Sequence, residues 1–429
     1  MSTQETPLLK VAILGDVQGY PNANDWGMHN LEAAFKVLSP YKPDVMIMTG
    51  DLGDYAEPKV YPYYMDLVRK HFTDKLPIQA ACLGNHDFWY KGEEIPTIYS
   101  DFCKAIEVEE ANPLVQVVNG FHFISISEKY LGGEPNTFYS EELIVALEEK
   151  IRQAIAQNSN NPVFVISHFG PADTMTGSHK PSSACKRLRN MLNKYPQVVS
   201  FSGHTHCPLE DERSIWQGDF TAIQTSGLSY CCFEEKCYNS CSVIPPFARE
   251  GVQCLYMEIF ADRMEIHRYN AEDQREIKPN KIWKVAYPYS KESALYTLAR
   301  KESRQAPKFK ENTIPYLRYD FGFLYLIFDE AEHDDFVQFY DMELFEITED
   351  GQEIEKGKER FVSNFYRLER NRDPRQVLQI PGYLLSPSAK MKAKIYPVES
   401  FGNVGEPLVI TFKNPMAKPK DERTLRPQE

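Results

Sequence analysis

The chain of 429 residues is about three times the length of a typical single domain, so two or three domains are expected. Charged residues make up 25% and apolar residues 42%, the balance of a folded chain, and no run of 18 or more apolar residues offers a membrane-spanning helix. With 48 Lys and Arg against 61 Asp and Glu the formal charge is −13, which disfavours nucleic acid as a partner. The first seven residues are polar and lack the basic-then-apolar order of a signal peptide, so the sequence reads as cytoplasmic. Short apolar runs follow at 11–14, 45–48, 78–83, 163–166 and 198–201, near-continuous in Val, Ile and Met as central strands covered on both faces are. Helical spacing of apolar residues marks 30–38, 61–71, 141–157 and 182–195, the last with Ser182 as a capping candidate. Alternation of the two predicts an α/β domain with a largely parallel sheet core, extended by strands and turns over 211–269. The stretch 270–313 is charged and carries one short helical segment near 293–301; it reads as a connection. Aromatic strands at 316–328, 336–347, 392–398 and 407–412, separated by turn signals, predict a β-sandwich of roughly 100 residues. The tail from 413 onward is rich in Pro and charge and is expected to fray.

Each of the five apolar runs ends in a residue able to bind metal. They lead into Asp16-Val17-Gln18, Asp51, Asn85-His86-Asp87, His168 and His204-Thr205-His206, with Gly before four of the five turns. In open α/β sheets the carboxyl ends of central strands line one crevice, so five strands aim Asp, Gln, Asn and His at one place. Singly, each piece is as well explained by a turn or a helix cap; together they make a metal site. Carboxylate, amide oxygen and imidazole in one set suit Mn, Fe or Zn rather than calcium. Asp16, Gln18, Asp51, Asn85, His168, His204 and His206 are too many for one ion with an open position. With Asp51 shared they divide into two sets of four. Two ions about 3.5–4 Å apart can bind phosphoryl oxygens and supply hydroxide at neutral pH.

Those motifs, in the order Asp-x-Gln, Gly-Asp-x-x-Asp, Gly-Asn-His-Asp, lone His and Gly-His-x-His, resemble the calcineurin-like metallophosphoesterase superfamily over about residues 8–269. The resemblance implies a four-layer α-β-β-α sandwich over residues 1–300. It places one ion on Asp16, Gln18, Asp51 and His206 and the second on Asp51, Asn85, His168 and His204. It gives His86 the part of protonating the leaving oxygen, with Asp87 expected to orient its ring. Gln18 stands where His is commoner. The Arg that follows the second motif in protein serine/threonine phosphatases is replaced by Tyr55-Ala56-Glu57, and Asp87 stands where that branch has Glu. Residues 391–412 look like the last two strands of a fibronectin type III domain, assigning 301–429 to such a sandwich. Purple acid phosphatases also carry one, but ahead of the catalytic unit, and their Tyr ligand has no match here.

The sequence therefore predicts a dinuclear metal-dependent phosphohydrolase attacking a small phosphate mono- or diester with metal-bound hydroxide. A cyclic-nucleotide or other small-molecule phosphodiesterase, a nuclease and a non-catalytic metal-binding module are the alternatives. Tyr20, Asn22, Trp26 and Trp89 are read first as loop packing and second as substrate contacts. Lys180, Lys186, Arg187 and Arg189 are read as an exposed helix face. Cys231, Cys232, Cys237, Cys241 and Cys254 crowd one stretch without the paired spacing of a zinc site; only in an exported protein would Cys237 and Cys241 be candidates for a bridge.

Overall fold

The computed structural model describes residues 5–89, 97–127, 139–179, 182–240 and 242–414. The chain divides into two compact units: Met1–Glu234 with Phe247–Leu298, and Glu235–Pro246 with Ala299–Glu429.

The first unit runs β1 (Leu9–Leu14), α1 (Trp26–Leu38), β2 (Val45–Met48), α2 (Val60–His71), β3 (Ile78–Ala81) and α3 (Ile98–Ala105). There follow β4 (Leu114–Val118), β5 (Phe121–Ile126), α4 (Glu141–Gln157), β6 (Val163–Ser167), α5 (Ser183–Leu192) and β7 (Val198–Ser202). It closes with β8 (Ile215–Gln217), β9 (Thr221–Gln224), β10 (Gln253–Ile259), β11 (Arg263–Asn270), β12 (Arg275–Ile277) and β13 (Trp283–Ala286). These strands form two sheets, not one. The first has the order β12-β11-β10-β1-β2-β3, with β13 against β11; the second has the order β4-β5-β6-β7-β9-β8. β1, β2 and β3 run parallel in the first sheet, and β5, β6, β7 and β9 run parallel in the second. Among the five apolar runs of the sequence, three therefore belong to one sheet and two to the other.

Side-chain alternation explains why apolar residues occupy nearly every position of these strands. Leu9, Val11 and Ile13 of β1 share a core with Phe123, Phe164, Ile166 and Phe201, between the sheets. Ala12 and Leu14 point the other way, into a core with Leu31, Phe35 and Val68 of α1 and α2. On the second sheet Val163 and Val165 pack outward against Leu147 and Ile151 of α4 and Leu188 of α5. The layers are thus helices, sheet, sheet, helices. α1 begins four residues before its apolar periodicity because Asp25 accepts from the Met28 amide at 3.1 Å. Ser140 and Ser182 cap α4 and α5 in the same way. Arg187 and Arg189 are half-buried rather than exposed, donating to the carbonyls of Tyr139 and of Ala172 and Asp173. Part of the stretch expected as a connection supplies β12 and β13, because Trp283 and Val285 alternate inward with Lys284 between them. Lys180 and Cys241 fall outside the described residues, as does the tail from 415; the other cysteines of the cluster are free thiols.

The second unit has two antiparallel sheets. One orders β14 (Tyr316–Asp320), β15 (Phe323–Asp329) and β18 (Arg375–Ile380); the other orders β17 (Glu353–Val362), β16 (Val337–Ile347), β19 (Lys390–Glu399) and β20 (Leu408–Lys413). Leu324, Leu326 and Leu378 of the first and Tyr340, Met342, Met391 and Ile395 of the second share one core. β17 leaves little trace in the sequence because its first half, Glu-Ile-Glu-Lys, is an exposed edge with no inward alternation. The second half of β17 is covered by the segment 235–246. The Tyr238 amide donates to the Arg360 carbonyl at 2.8 Å, and Asn239 exchanges two 3.1 Å hydrogen bonds with the Val362 backbone. No helix among the described residues is long and apolar enough to cross a membrane.

Candidate metal centre

The turns after β1, β2, β3, β6 and β7 bring the candidate ligands together. Asp16, Asp51 and His168 each offer a ligand atom, all within 4.8 Å of one another, and all three side chains are buried. His168 Nε2 lies 2.9 Å from Asn85 Oδ1 and 3.3 Å from Asp51 Oδ2. His206 Nε2 lies 3.1 Å from Asp16 Oδ1. The His204 ring stands 5.1 Å from that of His168, centroid to centroid, at the exposed side of the cluster. The Gln18 amide donates to the Asp51 carbonyl at 2.9 Å, which keeps the loop after β1 against the loop after β2.

Backbone geometry shows how much the fold invests here. Asp16, Gln18, Asp51, His204 and His206 all have φ between 48° and 67°, the left-handed region that ordinary side chains avoid. Each such residue costs of order 1–3 kcal/mol and persists only where its surroundings enforce it. Glycine is required beside them: a Cβ at Gly84 would strike Asp51 Oδ1 and the His168 ring, and one at Gly203 would strike Asp16 Oδ2.

The ring nitrogens that do not face the cluster are held. His168 Nδ1 meets the Thr49 carbonyl at 2.9 Å and His206 Nδ1 the Tyr230 carbonyl at 3.0 Å, leaving Nε2 of each aimed inward. The Asp16 carboxylate accepts from the His204 amide at 2.9 Å. Asp51 Oδ1 accepts from the His86 amide at 2.8 Å, but Oδ2 is buried and makes no hydrogen bond among the described residues. Burial alone would raise the Asp51 pKa; His168, followed by His86 and His204, overrides it and holds the group down to about 2. A buried carboxylate oxygen without a hydrogen bond, facing imidazole nitrogens, fits a bound cation. The surrounding donors, carboxylate, amide and imidazole, fit a divalent transition ion.

The His86 ring is oriented by a different residue from the one expected. His86 Nδ1 lies 3.0 Å from Asp54 Oδ1, and the ring packs against Trp89 with centroids 3.7 Å apart and planes tilted by 36°. Asp87 turns away. The 3-10 turn His86–Phe88 sends its carboxylate inward, where it accepts from the Gly84 and Gly53 amides at 2.9 and 3.0 Å. Burial, with Asp51 nearby, pushes the Asp87 pKa up to about 7. Asp87 therefore braces the two glycine turns that carry Asn85 and Asp51. Asp54, Thr49 and Tyr230 do not stand out as site residues in the sequence. Only Asp54 leaves a signal there, as the last residue of Gly50-Asp51-Leu52-Gly53-Asp54.

Residues 9–208 match the family model for calcineurin-like phosphoesterases. No curated protein matches the chain. Among solved structures, a conserved uncharacterized protein (predicted phosphoesterase) from Streptococcus pneumoniae aligns at 11% identity over 65% of this chain and 97% of that one, with a TM-score of 0.31. The purple acid phosphatase PPD1 of yellow lupin aligns at 13% identity over 66% and 54%, with a TM-score of 0.42. Vacuolar Protein Sorting 29 of Cryptosporidium parvum aligns at 9% identity over 66% and 98%, with a TM-score of 0.30. With scores this low, none of the three decides anything about substrate or partner. Residues 9–208 form a calcineurin-like metallophosphoesterase domain, and the chain is a phosphoric ester hydrolase in which Asp16, Asp51 and His168 make up a candidate metal-binding site.

Proposed function

We propose that the chain hydrolyses a small phosphate mono- or diester with two divalent ions, Mn, Fe or Zn. One would be held by Asp16, Gln18, Asp51 and His206, the other by Asp51, Asn85, His168 and His204. The observation that carries this reading is Asp51. Its carboxylate is buried between groups from both sheets, with one oxygen fixed by the His86 amide and the other without a hydrogen bond among the described residues. When bound, the ions would supply an activated water and neutralise phosphoryl charge.

The chain's own residues do the rest. Asp54 accepts from His86 Nδ1 and fixes the ring, so that Nε2, 3.9 Å from Asp51 Oδ2, is the position from which a proton reaches a leaving oxygen. Asp87 holds the turns at Gly53 and Gly84, and with them the spacing between Asp51 and Asn85. We assign the second unit as a fibronectin type III- or immunoglobulin-like sandwich, supported by its three- and four-stranded antiparallel sheets about one core. We place the protein in the cytoplasm, with a catalytic domain over 1–300, interrupted by the segment 235–246 that belongs to the second compact unit, and the sandwich over 301–429. A panel of phosphate monoesters, diesters and cyclic nucleotides, each with Mn, Fe, Zn and Mg and with metal stoichiometry measured alongside, tests the reading. Two ions per chain and metal-dependent release of phosphate or of a monoester are expected. One tightly held ion, or turnover unaffected by removing metal, overturns it.

A further inference from the structure

The second unit leaves one strand edge open. β14 ends its sheet, and among the described residues no strand or loop pairs with its outer side, whereas the second half of β17 is covered by 235–246. Exposed edges are ordinarily blunted by a proline, a bulge or like charges, because their unpaired amides and carbonyls invite another strand. β14, Tyr-Leu-Arg-Tyr-Asp, has none of these: it pairs with β15 without a register shift, and its two charges are of opposite sign. Its apolar face also runs past the core it serves. Leu317 packs against the core shared by the two sheets, but Tyr319, next on the same face, is 53% exposed, and Phe321, at the turn that follows, is 93% exposed. Phe321 and Gly322 form the two-residue turn between β14 and β15, with φ of 48° and 82°. Such turns favour Asn, Asp or Gly, so this phenylalanine is strained as well as bare, and within one chain its ring gains no burial.

The ladder fixes how a partner strand must sit. Asp320 and Phe323 flank the two-residue turn and so form a hydrogen-bonded pair, which directs the backbone groups of Leu317 and Tyr319 toward the open edge. We propose that this edge joins β14 of a second copy of the chain, antiparallel about a two-fold axis at Tyr319, so that the two three-stranded sheets become one. Tyr319 then faces Tyr319 of the second copy in a hydrogen-bonded pair. On either side of the axis Arg318 of one copy lies opposite Asp320 of the other, in the non-hydrogen-bonded pairs where side chains come closest. Leu317 meets Phe321 of the second copy, and the exposed ring is covered. An axis at Arg318 or Asp320 would oppose like charges, and one at Leu317 would set Arg318 against Tyr316 and Asp320 against Ile314. Only the axis at Tyr319 matches both the charges and the direction of the free backbone groups, and a two-fold pairing closes at the dimer.

Sedimentation of the full chain at low salt, where ion pairs are least screened, tests this. The parent should form a dimer. Arg318→Asp and Asp320→Arg each place two like-charged pairs across the axis and should weaken it by about 10- to 100-fold. An equimolar mixture of these two variants should dimerise again, because the carboxylates of one then face the guanidinium groups of the other. That recovery also shows that both variants are folded. Phe321→Asn should weaken the dimer as well, while the unfolding temperature of the dilute monomer holds or rises, since Asn suits the turn. A parent chain that stays monomeric overturns the proposal and leaves the edge to a strand of another protein. A dimer untouched by the single charge changes overturns it too, as does a mixture that stays monomeric while each variant keeps the parent's circular dichroism. Should either charge variant misfold, Phe321→Asn decides: a weakened dimer of a stable chain sustains the pairing, and an unchanged dimer overturns it.

Discussion

The two sheets of the first unit contribute different chemistry to one place. The turns after β1, β2 and β3 carry Asp16, Gln18, Asp51 and Asn85, all oxygen donors; the turns after β6 and β7 carry His168, His204 and His206, all imidazoles. Neither sheet holds the whole candidate set. The hydrogen bonds run crosswise: His168 Nδ1 meets the Thr49 carbonyl at the end of β2, and the Asp16 carboxylate holds the His204 amide after β7. Each half is oriented by the other, so the centre is a property of the interface between the sheets. The candidate bridge belongs to the oxygen half, which makes the two halves unequal.

That inequality is the first thing to break. Asp51→Asn should release both ions and cut metal affinity by more than the 10- to 100-fold typical of losing an outer hydrogen bond. His206→Ala should release one ion and leave the other. Metal analysis of both purified proteins checks this; equal losses would mean that Asp51 does not bridge. Next in size is His86→Ala, which should keep two ions while slowing alkyl esters by about 10²–10⁴-fold and nitrophenyl esters much less, since nitrophenolate leaves without a proton. Loss of an ion, or equal slowing of both ester types, would remove His86 from the role of leaving-group acid. Asp54→Asn should fall below that, by about 10- to 100-fold, with the alkyl ester again hit harder and metal content unchanged. A matching loss in Asp87→Asn on turnover alone would return the orienting role to Asp87.

The smallest effect concerns what ties the halves together away from the metals. Glu212, in the connection after β7, receives Arg268 Nη1 of β11 at 2.8 Å and Trp283 Nε1 of β13 at 2.8 Å. Burial would raise its pKa, but Arg268 and Lys278 outweigh that and lower it from 4.5 to about 2. A depressed carboxylate contributes its full stability above pH 4.5 and loses it as the pH falls toward 2, here at most about 3 kcal/mol. Denaturant unfolding of the full chain and of Glu212→Gln should converge across that window and differ above it. A constant difference from pH 7 to pH 2 would show that the tie carries no charge.

The candidate ligands are legible in the sequence because each follows a buried run, and apolar periodicity survives in the order of residues. The division of those runs between two sheets is not legible there. Strands buried on both faces look alike whichever sheet holds them, and pairing is decided by contacts far apart in the chain. The partner of His86 is hidden for a related reason. Adjacency points to Asp87, but the turn at His86–Phe88 swings that side chain toward Gly53 and Gly84, and the ring meets a residue 32 positions earlier. The left-handed backbone at Asp16, Gln18, Asp51, His204 and His206 leaves no mark either, because none of them is glycine.

The excursion of 235–246 has a consequence for anyone who would take the molecule apart. The polypeptide passes from one unit to the other at 234/235, returns at 246/247 and leaves again at 298/299. A gene truncated at the last of these keeps the first unit's strands but strands the loop whose Tyr238 and Asn239 pair with Arg360 and Val362. It would expose Tyr238 and the buried Cys237 with them. The two units are spliced rather than concatenated. A transplant of either into another protein needs two cuts and a replacement linker across 235–246, and a history of simple end-to-end fusion does not by itself account for the arrangement.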